Sequence, residues 1–249
     1  MKSIILAIAA TLGLCACEAG LFGEVGNGVS MTQEIEVGDF DSISIPDFVD
    51  VYYTQTSDQQ SVSLTCDENL TEYYKIHVRD GVLIVDCKRS FYNKIDTYVT
   101  ICSPVLNGVK LSGSGDLFID EVVTAEDDFT IEINGSGDAD IAGITARSVT
   151  TSLSGSGDVE IEQIEAESAT FRSSGSGDIE VDKLTAESIK VATTGSGDCI
   201  LKCKDAGTLD IQISGSGDIT VSGTARAIVN ISTTGSGDFN MNRLSLSGK

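Results

Sequence analysis

Basic residues are scarce. Lys and Arg number 16 against 38 Asp and Glu, which leaves a formal charge of −22. A nucleic-acid backbone needs a basic face to neutralise its phosphates, so nucleic acid is excluded as a partner. Polybasic attachment to anionic lipid is excluded on the same ground. His77 is the one histidine. That rules out a multi-histidine metal site, and a Ser-His-Asp mechanism would have to run through His77 alone. Trp is absent and Pro occurs twice. With 26 glycines beside so little proline, many turns at positive φ are expected. What is present suffices for a core: 41% of the 249 residues are apolar and 22% are charged. Wholesale disorder is therefore not expected, and the size fits a repetitive all-β chain folding as one unit.

The first residues read as an address. Met1-Lys2-Ser3 carries one positive charge, and the thirteen residues Ile4 to Ala16 are almost wholly apolar. That is too few to span a bilayer, which takes roughly 20, and it has the proportions of a signal-peptide h-region. Leu14-Cys15-Ala16-Cys17 has the form of a lipobox, with a branched apolar residue, a small residue and then the cysteine to be acylated. Residues 1–16 are thus predicted to be a lipoprotein signal peptide and Cys17 the lipid attachment site. Cys15 is a rival site, and an ordinary cleaved leader is the alternative. Acyl chains hold a protein at a membrane without spanning it. The expected localisation is the cell envelope, lipid-anchored, at the outer membrane and facing either the periplasm or the surface. Residues 17–30, rich in glycine, are predicted to be a flexible tether. Removal of residues 1–16 takes away Lys2 and no acid, so the mature charge is 15 − 38 = −23.

Five cysteines remain: Cys66, Cys87, Cys102, Cys199 and Cys203. An exported protein can form disulfides, and the first three end strand-like runs, but their connectivity is not readable from sequence. Cys199 and Cys203 lack the partners of a zinc site and read as packed thiols or one local bridge. No cofactor and no metal site is indicated.

Gly-Ser-Gly-Asp occurs seven times, ending at Asp116, Asp138, Asp158, Asp178, Asp198, Asp218 and Asp238. The first spacing is 22 and the rest are 20. A fixed period of this length means stacked coils or tandem units. The residue after each Asp is apolar, as in Val159 and Ile179, and so is the third, as in Ile161 and Val181. A second alternating run follows, exemplified by Val149-Thr150-Thr151 and Ile189-Lys190-Val191. Period-two alternation is a half-buried strand. Each unit is therefore predicted to hold two short strands and two turns. A unit so small buries its apolar face only by stacking, with strands about 4.8 Å apart. The predicted fold is an all-β, parallel β-helix or β-solenoid of about 20-residue coils, with a meander of antiparallel hairpins as the alternative.

The repeated corner has two readings. In the structural one, the aspartate accepts a backbone N–H. Stacked carboxylates about 4.8 Å apart repel by roughly 1 kcal/mol in water, and a charge-assisted hydrogen bond returns about 1.5–3 kcal/mol. The other reading is calcium, but that ion wants six to eight oxygens and one Asp per coil is thin supply.

Residues 31–110 lack the repeat yet show strand-like runs, among them Asp50–Gln55, Ser61–Cys66, Val82–Cys87 and Thr97–Ile101. Asp80-Gly81 between two alternating runs is a type I′ hairpin signal. This part is predicted as irregular β, stacked on the solenoid of residues 111–249 and capping it, so that 31–249 is one unit. All six tyrosines lie here, with Tyr52-Tyr53 and Tyr73-Tyr74 adjacent. One of each pair must face outward, where it can bind glycan or protein if the aromatics are not simply core. His77, between Ile76 and Val78, is predicted to be solvated.

Phe40-Asp41-Ser42-Ile43, Asp50-Val51, Gly81-Val82-Leu83-Ile84, Thr97-Tyr98-Val99-Thr100-Ile101, Ser103-Pro104 and Leu111-Ser112-Gly113-Ser114-Gly115-Asp116 come in this order. The sequence over 31–249 thereby resembles the auto-transporter adhesin "head GIN domain" family, common among Bacteroidetes and often lipoproteins. The resemblance implies a right-handed parallel β-helix and carries no catalytic or ligand residue. The expected function is that of a non-enzymatic, lipid-anchored envelope protein, an adhesin or interaction scaffold with a glycan or protein ligand. One alternative is a polysaccharide-active β-helix enzyme, for which Glu121, Glu126, Asp127 and Asp128 are the only acidic candidates. The other is a calcium-stabilised scaffold.

Overall fold

Alternation of buried and exposed residues marks a strand lying on a core, and each slip in the alternation marks a change of face. Along Ala139–Leu153 the alternation slips at Gly143–Ile144 and again at Arg147–Ser148. Along Ile179–Thr193 it slips at Asp182–Lys183 and Glu187–Ser188. Each coil therefore has three sides, and the expectation of two strands and two turns per coil is corrected. The third side carries its own inward columns: Ile144, Ile164, Leu184 and Cys203 in one, Ala146, Ala166 and Ala186 in the next.

The structure is a computed structural model and describes residues 23–57, 59–87 and 91–248. The predicted signal peptide 1–16 and Cys17 lie outside the described residues. In chain order the strands are β1 (Glu24–Val25), β2 (Ser30–Glu34), β3 (Ser42–Ile45), β4 (Asp50–Gln55), β5 (Ser61–Asp67), β6 (Tyr74–Arg79), β7 (Val82–Cys87), β8 (Phe91–Tyr92), β9 (Tyr98–Ser103), β10 (Gly108–Leu111), β11 (Leu117–Thr124) and β12 (Asp128–Ile133). The longer coil strands follow: β13 (Ala139–Leu153), β14 (Val159–Ile161), β15 (Ile164–Ser173), β16 (Ile179–Thr193), β17 (Cys199–Ile213), β18 (Ile219–Thr233) and β19 (Phe239–Leu246). A short 3₁₀ helix, Glu68–Tyr73, is the single helical element among the described residues.

From β10 onward every pairing is parallel and joins equivalent residues of successive coils, as in Val159 beside Ile179 and Ile179 beside Cys199. The chain is thus a β-solenoid of stacked parallel coils. Fully burying one Val, Leu or Ile side chain contributes about 1.5–3 kcal/mol. Each coil repeats that gain in register, and one apolar cluster runs from Phe40 to Ala225.

The parallel stack starts before the repeat does. β3 lies parallel on β10 and β4 on β11, so residues 42–55 form a coil without the Gly-Ser-Gly-Asp motif. β7 is parallel to β3 and β9 to β4 on the far side, adding one more coil. The predicted irregular part, 31–110, is therefore two parallel coils plus a cap. The cap is antiparallel: β6 on β7, β5 on β9 and β2 on β5. Leu70 of the 3₁₀ helix is fully buried beneath it. Asp80 (φ 54°) and Gly81 (φ 79°) make the tight turn between β6 and β7.

The predicted tether also differs. Its described part is held: β1 pairs with β8, and the Gly26 amide donates to the Tyr92 carbonyl at 2.8 Å. The Gly28 amide donates to Asp67 Oδ1 at 2.6 Å. Asp67 is fully buried and also accepts from the amides of Lys94 at 2.8 Å and Ile95 at 3.3 Å. Burial pushes its carboxyl pKa up, but the three amides outweigh it and hold the value below the ordinary range.

Candidate functional site

The corner motif builds a column along one edge of the solenoid. Asp138 N–H donates to Asp116 Oδ1 at 2.9 Å, Asp158 to Asp138 at 2.8 Å, and Asp178 to Asp158 at 2.7 Å. The series continues through Asp198, Asp218 and Asp238 at 2.7, 2.7 and 2.8 Å. One oxygen of each carboxylate but the last is thus committed to the next coil. The column has an eighth member, Asp50, whose Oδ1 accepts the Asp116 amide at 3.0 Å. Asp50 closes a corner of Pro46-Asp47-Phe48-Val49, and Val51 and Tyr53 behind it occupy the buried positions that follow the motif aspartates from Asp116 to Asp218. Burial pushes the Asp50 carboxyl up, with the charges of Asp116 and Asp96 adding to it.

The glycines serve a purpose other than the expected one. Positive φ among described glycines occurs at Gly28, Gly81 and Gly223, none of them in a motif. The corner glycines are needed for close approach. A Cβ built on Gly157 falls inside the van der Waals shell of the Gly137 carbonyl oxygen one coil below, and Gly177 meets Gly157 in the same way. Stacked backbones leave no room there for a side chain.

On the side that follows this edge, the outward residues form an aromatic ladder. Tyr52 is 41% exposed. Its ring stacks on Phe118 with centroids 4.9 Å apart and planes 17° apart. Tyr98 meets Tyr52 edge-on at 5.6 Å. Tyr53 points the other way, is buried, and bonds Ser103 Oγ at 3.0 Å. Of the second pair Tyr74 is buried and Tyr73 half-buried. Beyond Phe118 the side turns acidic. A pocket of about 220 Å³ is lined by Phe118, Asp116, Asp138, Asp140, Asp158 and Glu160. A second hollow, about 420 Å³, lies on another side over the small residues Ser42, Ser44 and Gly108, between Arg79 and Lys110.

The acidic stretch considered for catalysis does not converge. Arg147 pairs with Asp127 at 3.2 Å and Asp128 at 3.5 Å in solvent, and Glu121 and Glu126 are exposed on β11 and the loop after it. Among the described residues, no group of three or more His, Cys, Asp or Glu side chains is placed to hold a metal ion. His77 is half-buried instead of solvated, and its Nδ1 has no hydrogen-bond partner among the described residues. Cys66, Cys102, Cys199 and Cys203 are unbridged thiols. Burial pushes the Cys203 thiol up to about 11 and raises that of Cys199 further, so both are inert core residues.

The ladder was half legible in sequence. Adjacency put one tyrosine of Tyr52-Tyr53 outside, but Phe118 joins it only because β4 and β11 pair in register.

A model of the family described as "Putative auto-transporter adhesin, head GIN domain" matches residues 39–225 and 173–247. A crystal structure described as a "putative adhesin" from Bacteroides fragilis is 27% identical, with TM-score 0.80, covering 88% of this chain and all of that one. A "putative lipid binding protein" from Parabacteroides distasonis is 23% identical, with TM-score 0.70 and coverage of 87% and 98%. A "putative adhesin" from Parabacteroides merdae is 20% identical, with TM-score 0.67 and coverage of 88% and 99%. The last two show likeness of fold. No curated protein matches the sequence.

Proposed function

The chain belongs to the auto-transporter adhesin head GIN domain family, and from that premise we propose that it is a non-enzymatic envelope protein whose outward aromatic ladder is an adhesion surface. A family of adhesins suggests a protein of the cell surface or envelope. The finer reading is a solenoid anchored to the outer membrane by an acyl group on Cys17, with the capped end nearer the lipid because the chain enters there.

The observation that carries the reading is the Tyr98–Tyr52–Phe118 ladder. Large aromatics are costly to leave in water and are the residues most used as interface anchors. Here they lie on a rigid sheet that fixes their spacing, so little entropy is lost on binding. The charge of −22 and the acidic pocket beside Phe118 select against anionic ligands. The ligand is therefore a neutral or cationic glycan or protein. The column aspartates are structural, since each amide they accept closes a corner.

The test is a binding screen of the chain lacking its leader against arrayed glycans and extracellular-matrix proteins. Any hit is repeated with Tyr52→Ala. A hit weakened at least tenfold by that substitution supports the ladder; a hit that Tyr52→Ala leaves unchanged sinks it. Protease shaving of intact cells tests the surface location, and a chain that is never cleaved argues for the periplasmic side.

A further inference from the structure

We infer that the solenoid end formed by β18 and β19 is an interface at which a second copy of this chain docks end to end. The two ends of the stack are built differently. The N-terminal end is closed by the antiparallel strands β2, β5 and β6 and by Leu70. At the other end, residues 227–233 of β18 pair with β17 on one side, and β19 pairs with β18 on one side. No described residue pairs with their outer edges.

Core positions are open there. Ile231 is 47% exposed, whereas Ile211, its register partner one coil below, is 0% exposed. Met241 and Leu246 are 37% and 46% exposed, and Val229, the bulged residue between the register positions Ile228 and Asn230, is 63% exposed. Soluble proteins blunt such edges with Lys, Pro or inward charge. None of these occurs between Ala227 and Gly248.

Charge chooses the occupant. In a chain of net −22, the stretch Ile228–Gly248 holds only Asp238 and Arg243 and is net neutral. Two copies repel along their flanks but not at this end. A second copy also presents the same triangular section, the same open core and the same unpaired edge, which suits an isologous two-fold contact. In it, the edges of β18 run antiparallel to one another and the exposed apolar residues of both copies close over each other.

The experiment is sedimentation of the full lipidated chain in two mild detergents. Three forms are compared: unsubstituted, Ile231→Lys and Ser232→Lys. Ser232 is exposed on the edge strand, so its substitution removes no core contact and leaves the melting temperature unchanged. The expected result is a two-copy particle, weakened at least about tenfold by either lysine because each substitution places two like charges across the axis. Should Ile231→Lys fail to fold, Ser232→Lys decides alone. A single-copy particle up to about 100 μM, or a two-copy particle that Ser232→Lys leaves intact, overturns the inference.

Discussion

Gly157→Ala sets two effects of opposite sign against each other. Outside a positive-φ position, replacing Gly by Ala commonly stabilises a protein by about 0.4–1 kcal/mol, because the unfolded chain loses freedom. Gly157 is not at positive φ, so that gain applies. Against it, the new Cβ meets the Gly137 carbonyl oxygen. The corner that carries that oxygen is tied on both sides, since Ser136 N donates to Gly113 O at 2.8 Å on one and Ser156 N to Gly135 O at 2.9 Å on the other. Overpacking costs about 1–3 kcal/mol, and loss of one inter-coil hydrogen bond adds about 1 kcal/mol. The net expectation is destabilisation of about 1–4 kcal/mol, or a fall of roughly 2–16 °C in Tm for a chain of this size. Gly38→Ala is the control, since a Cβ there meets nothing within 4 Å and its effect is neutral to stabilising. Urea and thermal unfolding followed by circular dichroism measure both. If Gly157→Ala matches or exceeds the unsubstituted protein in stability, close approach is not why the motif keeps its glycines.

Three further outcomes follow from the carboxylates. Asp158→Ala leaves the Asp178 amide without its acceptor and costs about 1 kcal/mol, whereas Asp158→Asn keeps an acceptor, relieves like-charge repulsion and stays within about 0.5 kcal/mol of the parent. Millimolar Ca²⁺ and chelator leave all three melting temperatures unchanged, and a calcium-dependent rise in the parent alone would return the metal reading. Asp67 has a lowered folded pKa, so its contribution to stability is present above the unfolded value of about 3.9 and is lost as pH falls through the folded value. Melting curves from pH 7 down to pH 2 accordingly show an acid-side loss that Asp67→Asn removes, at the expense of stability at neutral pH.

The repeat was open to sequence reading because stacking demands identity: the same corner must recur wherever coils superpose. The third side was hidden because its columns mix Ile, Leu and Cys with Ala and pass through register shifts near Leu184 and Ala206, so no constant spacing marks them. Asp50 was hidden because its corner reads Pro46-Asp47-Phe48-Val49. The role of the corner glycines is not legible in sequence, because composition alone does not separate a backbone angle from a backbone contact. Alternation within its hairpin puts His77 in solvent, yet in the folded chain it is half-buried.

The aspartate column has a direction. Every carboxylate receives the amide of a residue that comes later in the chain, never earlier. A polypeptide made from its N-terminus therefore lays down each acceptor before the donor that will need it. With the cap and Asp50 in place, every newly arriving corner finds its docking point already set, and the structure can lengthen like a zipper closed from one end. Among the described residues, Asp238 is the last tooth of that zipper.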